Sequence, residues 1–332
     1  MRAVRSTAQI YRGTPQILTR LARLLRAGEL VAVPTETVYG LAANALDARA
    51  CRKIFTAKGR PAHDPLIVHI HSLAQLDEVA ESNPAAFKLA KKFWPGPLTL
   101  VLPKKSTVPS IVSAGLPSVA VRMPSHALFR RLLKLSSVPL AAPSANRFGY
   151  VSPTTAEHVR DGLGRKIKHI LDGGPCAVGL ESTIVDLRDP TSPRLLRPGA
   201  VTRSALERAL GKKVRVAHGS STPTAAQLAP GMLTRHYSPR TPVTLHARIS
   251  ATSVARGTER EAWIFQAKPA KVKGENVFWF DAHGRPAGVA RQLFRVLRML
   301  DEKKFERIRI ELAHGDGLAV AINDRLRRAA AR

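Results

Sequence analysis

Cysteine is nearly absent: Cys51 and Cys176 are the two in 332 residues. They lie far apart and in no C-x-x-C pair, which excludes a disulfide framework and a cysteine zinc site and suits a reducing compartment. Long apolar runs are missing too. Nothing approaches the roughly 18 consecutive apolar residues that span a bilayer. Met1 to Pro15 holds no continuous apolar core of signal-peptide length, so a cytoplasmic protein with no membrane partner is expected. The common nucleotide and hydrolase signatures are also missing. There is no G-x-x-x-x-G-K-S/T loop and no G-x-G-x-x-G after a strand, and neither H-E-x-x-H nor G-x-S-x-G occurs. Nucleotide chemistry here needs a different framework. Aromatics are sparse at 5%, with no RNA-recognition signature built on stacking rings.

Acid is the remaining shortage: 24 Asp+Glu face 53 Lys+Arg, a formal net charge of +29. A field of that sign draws in polyanions and speeds encounter with nucleic acid or nucleotides. Heavy use of Arg and Ala throughout, as in the tail Leu326–Arg332, produces the same balance. Charge therefore leaves double-stranded RNA or tRNA binding and plain compositional habit both open.

In bulk the chain is ordinary, 44% hydrophobic and 23% charged, as soluble globular proteins are, and its length suits two domains. Helical spacing at Ile17, Leu18, Leu21, Leu24 and Leu25 ends at Gly28, and Ala48–Lys58 and Ala85–Phe93 are further helices. Short apolar runs stopped by Pro or Gly predict strands at Leu30–Val33, Leu66–Ile70, Leu98–Leu102, Val119–Arg122 and Leu140–Ala142. Ser182–Leu187 and Arg194–Arg197 pair across a turn near Asp189-Pro190, and Ser204–Leu210 closes the region as a helix. Strands interleaved with helices imply a mixed α/β layer. From about His218 to Pro242, Gly, Ser, Thr and Pro dominate without periodicity, as in a linker, and one too long for an ordinary connection. Beyond it, strands at Thr244–Ala247, Ala262–Phe265, Val277–Phe280 and Ile308–Leu312 and helices at Ala287–Leu300 and Leu318–Ala331 make a small open α/β layer. The expected division is 1–212, 213–242 and 243–332.

Polar residues gather at strand ends, where α/β sheets place ligands. Lys58, Arg60, Arg122 and Arg197 recur there, and Arg offers a planar fork for carboxylates and phosphates while Lys acts as a point charge. Hydroxyls of Thr37, Ser144 and Ser182 complete an anion cradle. Taken singly, each has a bland account. A strand-end Arg is most often solvated or in a structural ion pair. His69 and His71 share a strand face by the two-residue period without thereby being metal ligands, and Pro143-Ser144-Ala145-Asn146 is also a plain turn. The joint pattern is what points to a site.

Several of these segments carry a resemblance. Pro34–Leu41 (P-T-E-T-V-Y-G-L), Lys58–Ile70, Trp94–Leu98 (W-P-G-P-L), Val119–Pro124, Ala141–Asn146 (A-A-P-S-A-N), Gly179–Thr183 and Leu196–Gly199 (L-R-P-G) resemble the YrdC-like domain. Pro230–Pro239 (P-G-M-L-T-R-H-Y-S-P) is similar to the linker of the long, two-domain L-threonylcarbamoyladenylate synthases, and Gly317–Arg328 to the end of their second domain. The resemblance implies a mixed twisted-sheet α/β domain joined by a long linker to a smaller Rossmann-like α/β domain. It also implies synthesis of threonylcarbamoyl-AMP from L-threonine, bicarbonate or CO2, and ATP with Mg2+. The amino group of threonine captures CO2, the carbamate oxygen attacks the α-phosphorus, and pyrophosphate leaves. Such chemistry asks for positioning and charge neutralisation more than for a protein nucleophile. The product goes to a separate transferase that modifies adenosine next to the tRNA anticodon.

Position by position, the resemblance assigns Thr37, His69, Arg122, Ala142 and Ser182 to threonine, with Arg122 on its carboxylate. It assigns Arg60, Asp64, Ser118, Ser144, Ser152, Arg197 and the linker's Tyr237 to the nucleotide, with Lys58 and Arg60 at the phosphates as the catalytic pair. The linker is then expected to act as a lid that keeps water from the labile carbamate and mixed anhydride. One position departs: the family usually reads Asp-Asn-Pro-Leu where this chain has His63-Asp64-Pro65-Leu66. A carboxylate beside phosphates adds repulsion unless Mg2+ bridges it or it meets the adenosine instead, which leaves the role of Asp64 open. The rival from another class is a basic RNA-binding or ribosome-associated protein without nucleotide chemistry. A carbamoyl transferase of the hydrogenase-maturation type is excluded, because that architecture carries paired-cysteine zinc fingers.

Overall fold

Helix ends follow local chemistry. In the computed structural model, which describes residues 8–217, 227–233 and 236–331, the Thr14 hydroxyl caps the first helix, α1 (Pro15–Arg26), ahead of a proline at its start. Asp47 accepts from the amides of Arg49 and Ala50 to open α2 (Ala48–Lys58), and Gly59 closes it in the left-handed conformation. The other helices are α3 (Leu73–Val79), α4 (Pro84–Phe93), α5 (Ala127–Ser136), α6 (Ala156–Leu163), α7 (Arg203–Leu210), α8 (Ala251–Ala255), α9 (Pro286–Glu302) and α10 (Leu318–Ala330). No helix among the described residues is long and apolar enough to cross a membrane.

The strands of the first unit are β1 (Gln9–Arg12), β2 (Val31–Val33), β3 (Gly40–Asn44), β4 (Ile67–His69), β5 (Leu98–Pro103), β6 (Ser118–Arg122), β7 (Leu140–Ala141), β8 (His169–Asp172), β9 (Thr183–Asp186), β10 (Arg194–Arg197) and β11 (Arg215–Val216). They form one sheet in the order β1-β8-β2-β3-β7-β4-β6-β5-β9-β10-β11. Its pairing is mixed: β4 runs parallel to β6, β5 antiparallel to β6, and β9 antiparallel to β10. Central strands are buried on both faces, as in Val31–Val33 and Ser118–Arg122, so they read as continuous apolar runs rather than alternations. Helix α1 seals one side with Leu18, Leu21 and Leu25, all fully buried, each adding about 2 kcal/mol of apolar burial.

A second sheet holds β12 (Val243–His246), β13 (Glu261–Ala267), β14 (Val277–Asp281) and β15 (Arg307–Glu311) in the order β12-β15-β13-β14, parallel throughout. It is the open, helix-crossed layer expected. Parts of the expected linker, 218–226 and 234–235, lie outside the described residues.

The two units share one apolar cluster. Val38, Val151, Leu180 and Tyr237 pack with Leu293, Phe294 and Leu297 of α9 and with Ile322 and Leu326 of α10. At Gly179, whose φ is +79°, an added Cβ would sit 2.5 Å from the Arg291 Cα, so only glycine lets α9 approach this turn. Asp301 near the end of α9 accepts from the Thr241 amide (2.8 Å), Tyr150 Oη (2.7 Å) and Arg240 Nε (3.0 Å), tying down the far end of the linker.

Candidate active site

The first wall of the site is the loop between β2 and β3. Thr35 folds it: its Oγ1 accepts from the amides of Thr37 (3.0 Å) and Val38 (3.1 Å) and donates to the Val38 carbonyl (2.6 Å), a hydroxyl-closed turn. That turn aims Glu36 and Thr37 at Arg122. The Arg122 Nη1 donates to Thr37 Oγ1 at 2.9 Å, and Nη2 lies 2.7 Å from Glu36 Oε1 as an ion pair without hydrogen-bond alignment. Burial raises the Glu36 pKa, but the neighbouring charge of Arg122 outweighs it and holds the carboxyl below its ordinary range.

Strand pairing adds His69. In the parallel β4–β6 pair His69 sits opposite Arg122, and its ring lies 5.4 Å from that of Phe129. Burial, then the Arg122 charge, push its pKa down to about 3, so the imidazole is neutral. The shared face expected for His69 and His71 does not form, because β4 ends at His69. His71 turns instead to Gln75, whose Oε1 is 3.1 Å from its backbone amide and 2.9 Å from Nδ1.

The opposite wall comes from β9 and β10. A bulge in β10 between Leu195 and Arg197 swings Arg197 toward Ser182. Arg197 donates from Nε to the Ser182 carbonyl (3.0 Å), from Nη2 to Ser182 Oγ (3.1 Å), and from Nη1 to the Pro230 carbonyl of the linker (3.0 Å). Arg60 enters between the walls. Its Nε donates to the Asp64 carbonyl (2.9 Å), its Nη2 to the Pro65 carbonyl (2.7 Å), and Nη2 also stands 2.9 Å from Asp64 Oδ1. Among the described residues Arg197 alone of these three arginines has no carboxylate partner, so its charge suits an anion although its nitrogens already donate to Ser182 and Pro230.

The linker closes the top. Gly231, with φ +77°, passes so close that an added Cβ would be 2.5 Å from Tyr237 Oη and 3.0 Å from Arg197 Nη1. Tyr237 is buried against the rings of His236 (4.1 Å) and Phe294 (5.5 Å). Burial, followed by the charges of Arg60, Lys58 and Arg197, pushes the His236 pKa well below the usual histidine value.

Nine of the expected residues line this one pocket: Thr37, His69, Arg122, Ala142 and Ser182 from the threonine set, and Arg60, Ser144, Arg197 and Tyr237 from the nucleotide set. Lys58, Asp64, Ser118 and Ser152 do not line it. Lys58 Nζ donates to the carbonyls of Ser144 (2.5 Å) and Asn146 (2.6 Å), so it shapes the Pro-Ser-Ala-Asn loop. Burial and Arg60 push its pKa well below the lysine range. Asp64 is the counter-charge of Arg60, and Ser152 Oγ donates to Glu181 Oε1 at 2.5 Å. Ser118 is buried at the start of β6. Thr35, Gly231 and His236 line the pocket although no role was attached to them, and so does Glu181. All four lie inside the family-like segments Pro34–Leu41, Gly179–Thr183 and Pro230–Pro239, which was the signal available.

Three polar atoms of the pocket's lining, His69 Nδ1, His236 Nδ1 and Tyr237 Oη, are buried without hydrogen-bond partners. Each such group costs about 1–3 kcal/mol, and several around one pocket mark a place where a polar ligand completes the bonding. Among the described residues no three His, Cys, Asp or Glu side chains gather to hold a metal ion. Glu36, Asp64 and Glu181 each face an arginine, so the described residues around the pocket do not fit a resident Mg2+.

Comparison with known proteins decides the family. Residues 23–199 match the Sua5/YciO/YrdC family model, described as "Telomere recombination", and residues 201–331 match the C-terminal domain of threonylcarbamoyl-AMP synthase. The chain belongs to the threonylcarbamoyl-AMP synthase family. It is 44% identical to the threonylcarbamoyl-AMP synthase of Pyrococcus abyssi over 93% of this chain and 92% of that protein. With the Bacillus subtilis synthase it shares 40% over 98% and 95% respectively. The crystal structure of P. abyssi Sua5 complexed with L-threonine superposes with a TM-score of 0.88 at 40% identity, covering 97% of this chain and 98% of that one. Within the synthase family this chain is thus a two-domain form matched along nearly its whole length.

Proposed function

We propose that this chain makes threonylcarbamoyl-AMP from L-threonine, bicarbonate or CO2, and ATP, as a nucleotidyltransferase that releases pyrophosphate and serves threonylcarbamoyladenosine modification of tRNA. The observation that carries this is the one pocket in which Arg60, Arg122 and Arg197 converge with Thr37 and Ser182 beneath Gly231, His236 and Tyr237. Relatives named as synthases of this product, and one of them crystallised with L-threonine, support it.

In this mechanism Arg122 takes the threonine carboxylate, exchanging part of its hold on Glu36. Thr37 and the neutral His69 meet the amino acid's polar groups beside the Ala142 wall. The amino group adds CO2 to give a carbamate, whose oxygen attacks the α-phosphorus while the β,γ-diphosphate departs. Arg197 and Arg60 bind the phosphates and neutralise the charge that grows there. Ser144 and Tyr237 hold the nucleoside side, Ser152 braces Glu181 behind it, and Lys58 keeps the Ser144 loop in shape. Mg2+ arrives with the triphosphate as part of the substrate. The linker, 213–242, joins a catalytic unit, 1–212, to a supporting unit, 243–332, and acts as the lid. Two buried free cysteines agree with a cytoplasmic setting.

The deciding assay is pyrophosphate release by the purified chain without tRNA. Release that needs both threonine and bicarbonate supports the proposal; ATP turnover indifferent to either refutes it. Deleting Gly231–Pro239 should raise free AMP or cut synthesis sharply.

One observation favours an added role in RNA contact. A groove between α4 and α7 is lined by Lys88, Lys91, Lys92 and Arg208 with no acidic side chain. A gel-shift titration with tRNA should then show binding that weakens steeply with salt, compatible with delivery of the product to a separate tRNA transferase.

A further inference from the structure

Helix α10 brings a charge from the second unit to the back of the pocket. Arg325 is fully buried, and a buried guanidinium persists only where its donors are matched. Its Nε donates to Glu181 Oε2 at 2.8 Å, its Nη2 to the carbonyls of Glu181 (3.3 Å) and Pro198 (3.0 Å), and its Nη1 to Asp324 Oδ2 at 2.6 Å. Its guanidinium also stands 5.4 Å from the centre of the Tyr237 ring. Glu181 lines the pocket, and its other oxygen accepts from Ser152 Oγ at 2.5 Å.

One side chain therefore touches five things at once: the Glu181 and Asp324 carboxylates, the backbone just before Ser182, the backbone just after Arg197, and the Tyr237 face. Glu181 and Tyr237 line the pocket, as do Ser182 and Arg197 beside the two carbonyls; the nucleotide set holds Arg197 and Tyr237, the threonine set Ser182. The loop carrying Thr37, and the strands carrying His69 and Arg122, make no hydrogen bond with Arg325. A carboxylate facing a triphosphate repels it unless a cation compensates, and no other ion pair to Glu181 exists among the described residues.

We propose that Arg325 is a positioning residue for ATP: it neutralises and orients Glu181, so that the second unit sets the nucleotide half of the site without touching substrate. This rests on the function proposed above. It gives the second unit a task distinct from carrying the linker.

The test is calorimetric titration of the full chain with MgATP and, separately, with L-threonine, alongside its unfolding temperature. Arg325→Met should weaken ATP binding at least about tenfold while threonine affinity stays within about threefold. Adding Glu181→Gln to that variant removes the stranded charge yet keeps the acceptor for Ser152, and should restore most of the ATP affinity. Arg325→Lys, a charge without the fork, should fall between the parent and Arg325→Met. Equal losses for both ligands, no loss for ATP, or no recovery with Glu181→Gln would each overturn the proposal. If Arg325→Met does not fold, the double variant decides alone: near-parental ATP affinity supports the proposal, and its loss refutes it. A parent chain that binds neither ligand overturns the proposed function itself, and this inference with it.

Discussion

Replacing Gly231 by alanine tests the lid at its tightest point. The residue sits at φ +77°, and the new Cβ would lie 2.5 Å from Tyr237 Oη and 3.0 Å from Arg197 Nη1. Alanine in the left-handed region costs roughly 1 kcal/mol. The tyrosine cannot swing away freely, because it is 1% exposed and packed between His236, Phe294 and Arg325. Crowding such a side chain costs about 1–3 kcal/mol more. The linker can avoid this only by lifting, so a total near 3 kcal/mol lowers the closed population on the order of 100-fold. Pyrophosphate and free AMP, followed against ATP concentration at saturating threonine and bicarbonate, should show a raised KM for ATP and a larger share of AMP. Tyr237→Phe removes the nearest clashing atom, so combining the two changes should recover part of the loss, a coupling that a double-mutant cycle measures. Parental ATP dependence in Gly231→Ala, or strict additivity with Tyr237→Phe, would refute the closed-lid geometry.

The other expectations concern charge. Arg122→Lys keeps a cation but loses the fork that reaches Glu36 and Thr37, so the KM for threonine should rise by about 2 kcal/mol, roughly 30-fold, with ATP dependence little changed. Asp64→Ala strands the buried Arg60 charge and should destabilise the fold by about 3 kcal/mol, whereas Asp64→Asn, the residue usual in the family, should cost clearly less; urea unfolding compares them, and equal effects would count against the pairing. Stability should also fall in mild acid. The folded-state pKa of His69 lies at about 3 and that of His158 at about 4, both below the unfolded value of 6.5. The neutral forms are therefore favoured, and their stabilisation is present above pH 6.5 and lost as pH falls toward the folded values. For the fully buried His69 this is about 2 kcal/mol between pH 6.5 and 5, and less for the partly solvated His158. Urea midpoints at pH 5 and 7 should differ accordingly, and less so in His69→Gln.

The sequence alone determined the elements whose cause is local. Asp47 and Gly59 bound α2 at the predicted Ala48–Lys58, apolar runs cut off by proline located β2, β5 and β6, and the Arg194–Arg197 strand pairs with its neighbour as expected. Family motifs then brought nine of the expected side chains to one pocket. Where local signals are weak, elements were missed. Gly40–Asn44, a G-L-A-A-N stretch without β-branched residues, and His169–Asp172 are strands because neighbours on both sides supply hydrogen bonds. The helices α3, α5, α6 and α8 likewise went unseen.

The functional consequences of distance were invisible as well. Asp64 looked anomalous beside phosphates until its carboxylate was found against Arg60. Lys58 looked like a phosphate ligand until its ammonium was found on two carbonyls. Arg325 meets Glu181 across 144 residues. Helical and strand periods register neighbours a few positions apart, and capping acts within one turn. A buried ion pair between distant segments leaves no such trace in the chain, because only the packed tertiary structure brings the two charges together and removes the water between them.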